Sequence, residues 1–271
     1  MSIAAAAAIA TTTPAFAETT FERIQRTKEM TVGTEAAYPP FEFVKDGQIT
    51  GFGRDLLDEI AKAWGVEVKQ LDLPFQGILP GLLAGKFDFV ATSVGINAER
   101  AARYAYTLPI ADSTAYAIKR AGNDDIKTID DLRGKVVATQ LASAVDPVAK
   151  QLDEKLKTEG EGFGELKLFP TFNDSFLAVG NGTADVAMAG LPVLQALMAE
   201  RPGMFELIGK AAETQSLNAW VVRPEDKDLR DAINAVILDL KASGRFAELQ
   251  QKWLGMTMDL PESGYLPEGA Q

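Results

Sequence analysis

Val32-Gly33-Thr34-Glu35-Ala36-Ala37-Tyr38-Pro39-Pro40-Phe41-Glu42-Phe43 opens the stretch that decides how this chain folds. It continues through Asp46-Gly47 and Gly51-Phe52 and closes on Thr92-Ser93-Val94-Gly95-Ile96-Asn97-Ala98-Glu99-Arg100. A short apolar run at Met30–Thr34 reads as a strand that empties into a segment carrying two acids and three aromatic rings. The far end of the stretch adds hydroxyls and one arginine. Aromatic faces, loop hydroxyls and a guanidinium suit the grip on a small carboxylate, because the planar fork of arginine meets both carboxylate oxygens. Nothing in the stretch is a ready nucleophile.

Outward from there, apolar runs alternate with amphipathic segments, the pattern of an α/β protein. Arg54–Trp64 puts Leu56, Leu57, Ile60, Ala61 and Trp64 on one helical stripe, and Gly65 ends it. Val66–Leu71 reads as a strand, Ile78–Ala84 as a helix with Pro80 in its first turn, and Phe87–Ala91 as a buried strand. Asn97 can cap a helix that carries Arg100 near its start. A second α/β unit begins past the polar stretch Arg120–Lys127. Its expected strands are Val136–Thr139, Leu166–Phe169, Val186–Met188 and Phe205–Ile208, and its expected helices Ser143–Leu156, Ser175–Val179 and Pro192–Ala199. Trp220–Val222 is apolar again, and a long helix through Leu229, Ile233, Val236, Ile237 and Leu240 leads to Phe246–Trp253. Two such units with two or more crossings predict a bilobed molecule with a cleft between its lobes, a favoured place for small-molecule sites.

The composition narrows the chemistry. The chain has no cysteine and no histidine, which removes disulfides, thiolate nucleophiles, histidine-based triads and the usual zinc sites together. A net charge of -11 argues against a nucleic-acid partner, which needs a basic face to neutralise phosphates. Gly51-Phe52-Gly53 lacks the third glycine of a dinucleotide fingerprint. The pairs Asp124-Asp125 and Asp130-Asp131 lie in polar turns and read as solvated. No cofactor and no metal are expected.

Residues 1–17 carry no charge and end Ala15-Phe16-Ala17, an A-x-A processing site behind a short apolar stretch. They read as the later part of a secretory signal peptide without its positive n-region. Cleavage after Ala17 would start the mature chain at Glu18. No later run reaches the roughly 18 uninterrupted apolar residues that a membrane span needs.

Taken in order, GTEAAYPPFEF, DGQITGF, Leu79-Pro80-Gly81-Leu82 with Gly85-Lys86-Phe87-Asp88, and Ile96–Arg100 make the first half resemble a known family. Asp131-Leu132-Arg133-Gly134-Lys135-Val136-Val137, Gly182-Thr183-Ala184-Asp185, Gly244-Arg245-Phe246 and Gln251-Lys252-Trp253 extend the likeness over roughly Arg26 to Leu254. The family is the type-3 periplasmic solute-binding proteins of amino-acid ABC importers. The resemblance implies a periplasmic-binding-protein fold, two α/β lobes joined by a two-strand hinge. Residues 18–112 would form the first part of lobe 1, residues 113–214 lobe 2, and residues 215–271 the return to lobe 1 with a C-terminal tail. It implies an exported, periplasmic protein, expected to act as a monomer, that closes on an amino acid or a derivative and delivers it to the membrane subunits of an ABC importer.

Residue by residue, the resemblance makes Arg100 the clamp on the ligand's carboxylate, with Thr92 and Ser93 offering a hydroxyl or N–H to the same group. Gly95 stands where many relatives have Ser or Thr, so only its backbone N–H can serve. Glu35, Tyr38 and Phe75 match positions that meet the ligand's body, the two rings as a sandwich and Glu35 as anchor for a cationic group. In the second lobe, Ser143 and Ala144 open a helix whose free N–H groups and dipole attract anions. Gly190 falls where amino-acid binders commonly place an aspartate that holds the α-ammonium. Either a neighbouring acid such as Glu35 substitutes, or the ligand is not a standard free α-amino acid. An alternative on the same scaffold is an enzyme resembling cyclohexadienyl (prephenate/arogenate) dehydratases, with Glu35 as general acid.

Overall fold

The computed structural model describes residues 18–271, so the export segment expected at 1–17 lies outside the described residues. Two sheets organise the chain. In the first, the strand order is Glu67–Asp72, Glu29–Thr34, Phe89–Gly95, Leu217–Val222 and Ala105–Tyr106, with Ala111–Asp112 also laid against Leu217–Val222. In the second it is Glu165–Phe169, Val136–Gln140, Val186–Gly190, Ala115–Arg120 and Phe205–Lys210. Each sheet begins with three parallel strands and then turns antiparallel. Every residue of Phe89–Gly95 and of Val186–Gly190 is buried. These strands are built from Val, Ala, Phe and small residues for the reason parallel sheets usually are: helices cover both faces.

The chain passes from the first sheet to the second between Asp112 and Ala115, and returns between Lys210 and Leu217. Two short crossings joining two distinct sheets make the bilobed periplasmic-binding-protein architecture. The C-terminal helices Lys227–Ala242 and Arg245–Leu254 come back onto the first lobe, where Phe246 meets Phe52 edge-on with ring centroids 5.8 Å apart. Trp220 is fully buried beside Phe89, so the returning strand is anchored in the core of the lobe it re-enters.

Four local differences from the sequence reading matter for the cleft. The helix expected at Ile78–Ala84 starts at Phe75, which moves Pro80 out of the first turn and into the helix interior. The strand expected to end at Ala91 runs on to Gly95, because Gly95 pairs with Asn218 of the returning strand. The helix expected from Ser175 starts at Phe172, where the Thr171 hydroxyl caps it by accepting from the Asp174 N–H at 3.1 Å. A three-stranded ribbon, Ala37–Tyr38, Glu42–Lys45 and Gln48–Thr50, turns at Asp46-Gly47, both at positive φ. That dipeptide is a strong hairpin signal in the sequence.

Candidate functional site

Parallel strands deliver their side chains to one end, and here the carboxyl ends of both sheets face each other across the cleft. Glu35 follows the Glu29–Thr34 strand, Ser93 and Gly95 end Phe89–Gly95, and Gln140 and Gly190 end two neighbouring parallel strands of the second sheet. Glu35, Tyr38, Phe75, Ser93 and Gly95 line a cavity from the first lobe, and Ser143 and Ala144 line it from the second. Gln140, Val145 and Phe172 complete the second-lobe wall, while Ser113 and Asn218 come from the crossing region. Of the residues the sequence pointed to, Thr92, Arg100 and Gly190 stand just outside this lining.

The lobes are shut on each other. The Gln140 amide donates to Glu35 Oε1 at 2.5 Å and to the Pro170 carbonyl at 3.1 Å. Gln76 donates across the cleft to the carbonyls of Leu141 and Pro170 at 3.3 and 3.0 Å. Arg100 donates to the Gly95 carbonyl at 3.2 Å in its own lobe and to the Ala142 carbonyl at 2.5 Å in the other. Its guanidinium also lies over the Phe75 ring, 5.8 Å from the centroid. A Cβ on Gly95 would fall 2.2 Å from the Ala144 Cβ, so only glycine lets the second lobe come this close. The cavity left inside is about 20 Å³, room for about one water, so a solute enters only when the lobes part.

Tyr38 stacks on Phe172 of the second lobe, centroids 5.5 Å apart at 25°, and on Phe41 behind it at 5.1 Å. The aromatic partner that faces Tyr38 is therefore Phe172, while Phe75 sits under Arg100. Ser113 and Asn218 line the cavity together with Tyr38, and burial pushes the pKa of the Tyr38 hydroxyl up. Ser113, Asn218 and Phe172 went unnoticed in the sequence. The first two take their place only when the two crossings meet, and Phe172 only once the helix starts three residues early.

Two carboxylates are buried here, although only Glu35 reaches the cavity. Burial raises Glu35 to about 7; the Gln140 hydrogen bond opposes this and the charge of Asp72 adds to it. Glu42 is fully buried and raised to about 8 by desolvation, against the stabilising bonds from the Thr92 hydroxyl and the Ser93 N–H. The Thr92 hydroxyl donates to Glu42 Oε2 at 2.9 Å and is thereby turned away from the cavity. Glu42 Oε1 has no hydrogen-bond partner. The Ser93 hydroxyl, 6% exposed, is also without a partner, and it faces the cavity. On the opposite lobe the Ser143 hydroxyl accepts from the N–H groups of Val145 and Asp146, both at 3.2 Å, capping the helix Val145–Thr158. Among the described residues no cluster of three or more acidic side chains could hold a metal ion, and no helix is long and apolar enough to cross a membrane.

A hinged pair of α/β lobes closing over a polar, aromatic-walled cavity defines a solute-binding protein rather than a nucleic-acid or nucleotide binder. The chain belongs to the bacterial extracellular solute-binding proteins, family 3, whose family model matches residues 30–256. It is similar to a probable histidine-binding protein of Campylobacter jejuni, 27% identical over 227 residues that cover 84% of this chain and 85% of that one. Among solved structures it is similar to a mutant of ArgBP from T. maritima, with 33% identity, a TM-score of 0.76, and 87% of this chain and 99% of that one covered. The ancestral amino acid-binding protein AncCDT-1, a precursor of cyclohexadienyl dehydratase, matches at 28% identity and a TM-score of 0.76, covering 87% and 99% of the two chains.

Proposed function

We propose that this protein captures an amino acid or amino-acid-like carboxylate outside the cytoplasm, in the periplasm, and hands it to an ABC importer. One observation carries the reading: the cavity is walled by strand ends of both lobes, and the contacts that seal it, Gln140 to Glu35 and Arg100 to the Ala142 carbonyl, each join one lobe to the other. A solute that touches both walls favours the closed form by its differential affinity for it, and hinge closure follows. The amino-acid-binding relatives support the ligand class and the importer as partner.

In this reading Arg100 exchanges a backbone carbonyl for the solute's carboxylate when the lobes part and reclose. The Ser93 hydroxyl adds a hydrogen bond that it lacks at present. Tyr38 and Phe172, with Phe75 beyond them, pack the body of the solute, and Glu35 takes a cationic group. Arg100→Ala should abolish binding; affinity retained within a few-fold, read by calorimetry on an amino-acid panel, would sink the assignment. The dehydratase alternative draws on Glu35, a titratable carboxyl facing the cavity. Product formed from prephenate or arogenate would replace the binding reading with that one.

A further inference from the structure

We propose that Ser113 and Gly190 act as one specificity-determining pair: the Ser113 side chain occupies the space that any side chain at 190 would need. That makes this wall of the cavity neutral and leaves Glu35 to hold the single cationic nitrogen of the ligand. The inference deepens the solute-capture reading and rests on it.

The geometry is close on three atoms. A Cβ at position 190 would lie 1.9 Å from Ser113 Oγ, 3.1 Å from Ser113 Cβ and 3.2 Å from the Ser113 carbonyl oxygen. Rotating the hydroxyl relieves the first contact but not the other two, which are to the Ser113 Cβ and backbone. Ser113 is held in place from behind, its N–H donating to the Ser216 carbonyl at 2.8 Å on the second crossing. It is 6% exposed, so the hydroxyl has no solvent to retreat into.

Charge completes the argument. Ser113, Asn218 and the Tyr38 hydroxyl make the crossing side of the cavity, and Gln140 and Ser143 the second-lobe side; all are neutral. Glu35 is the one acidic residue in the lining. A buried cation needs a paired charge to offset its desolvation, whereas a neutral polar group needs only a hydrogen bond. A ligand with one cationic nitrogen at Glu35 satisfies this cavity, and a second cation pressed against Ser113 and Asn218 would be left unpaired. The unpartnered Ser93 hydroxyl marks the same cavity as built to receive a polar ligand.

The test uses the mature chain and the variants Gly190→Asp, Ser113→Gly and the two combined. In ligand-free melting, Gly190→Asp should lower Tm by several degrees, and adding Ser113→Gly should restore at least half of the loss. Strictly additive melting shifts would overturn the pair. Calorimetry then compares single-cation probes (L-glutamine, L-proline, glycine betaine) with two-cation probes (L-arginine, L-lysine, L-ornithine). The tightest binder to the unaltered protein should be a single-cation probe, and the combined variant should shift the ratio at least tenfold toward the two-cation set. A two-cation probe binding the unaltered protein most tightly, or an unchanged ratio in the combined variant, would overturn the selectivity assignment alone. No heat with any of the six would overturn it together with the solute-capture reading.

Discussion

The side-chain amide of Gln140 reaches across the cleft to the Glu35 carboxylate at 2.5 Å, joining the end of a second-lobe strand to the first lobe. A hydrogen bond to a charged or titratable group of this kind contributes about 1.5–3 kcal/mol, and removing one partner leaves the other buried and unsatisfied. Gln140→Ala should therefore weaken closure and lower ligand affinity by about 10- to 100-fold. Gln140→Glu should do worse, since two carboxylates would then face each other. Small-angle scattering would read the same change as a larger radius of gyration.

The buried carboxyls set a pH dependence whose sign is fixed by the direction in which burial moves them. Glu35 and Glu42 rise from 4.5 to about 7 and about 8, both mainly through desolvation. Between the ordinary and the raised values the folded protein keeps protons that the unfolded chain has released, so stability falls as pH rises. The contribution is fully present below pH 4.5 and is lost on passing through about 7 and 8. A tenfold change in a proton-binding constant is worth about 1.4 kcal/mol, so the pair acts at the level of a few kcal/mol. Ligand-free Tm should drop between pH 5 and pH 8.5.

Glu42→Gln separates the two groups. Glutamine keeps an acceptor for the Thr92 hydroxyl and carries no charge at any pH, which suits a site where the carboxyl is mostly protonated below about 8. The variant should melt within about 1 kcal/mol of the unaltered protein at pH 5.5 and above it at pH 8.5, with a flatter Tm profile between. A profile as steep as before would assign the pH dependence to other groups.

Gly95 and Ala144 meet where the lobes close, and a Cβ on Gly95 would stand 2.2 Å from the Ala144 Cβ. Gly95→Ser should hold the cleft ajar and lower affinity by tenfold or more while leaving each lobe's own packing intact. Ala144→Gly in the same chain removes the obstructing methyl and should recover most of that loss. Titration calorimetry on the four proteins of this cycle checks the coupling.

Phe172 couples lobe packing to closure, since its ring stacks on Phe176 in its own helix and on Tyr38 across the cleft. Phe172→Ala should cost about 3 kcal/mol in unfolding free energy through the cavity it opens. Phe172→Leu keeps most of the volume and loses the ring pair, worth about 1 kcal/mol, so affinity should fall about fivefold with little change in Tm.

Legibility in the sequence followed the range of the interactions. The helical stripe of Leu56, Leu57 and Ile60 is a local pattern, and so is the Asn97 side chain accepting from the Arg100 N–H at 2.9 Å; both stand in the chain as spacing and capping chemistry. Placing Pro80 in the first turn starts its helix at Ile78, whereas packing of Phe75 and Ile78 in the first lobe carries the helix back to Phe75. Strand length failed similarly at Thr92–Gly95, whose pairing partner Asn218 is more than a hundred residues away.

For the site, the sequence by itself determined the inventory: Arg100 and Glu35 beside aromatic rings in the first half, and a second half that places glycine at 190. Tertiary structure decided which of these groups are free to meet a solute. It committed the Thr92 hydroxyl to Glu42, laid Phe172 rather than Phe75 on Tyr38, and filled the space beside Gly190 with Ser113. The physical reason is that cavity walls are built by close packing between segments far apart in the chain, and burial rather than residue type sets whether a carboxyl there is charged.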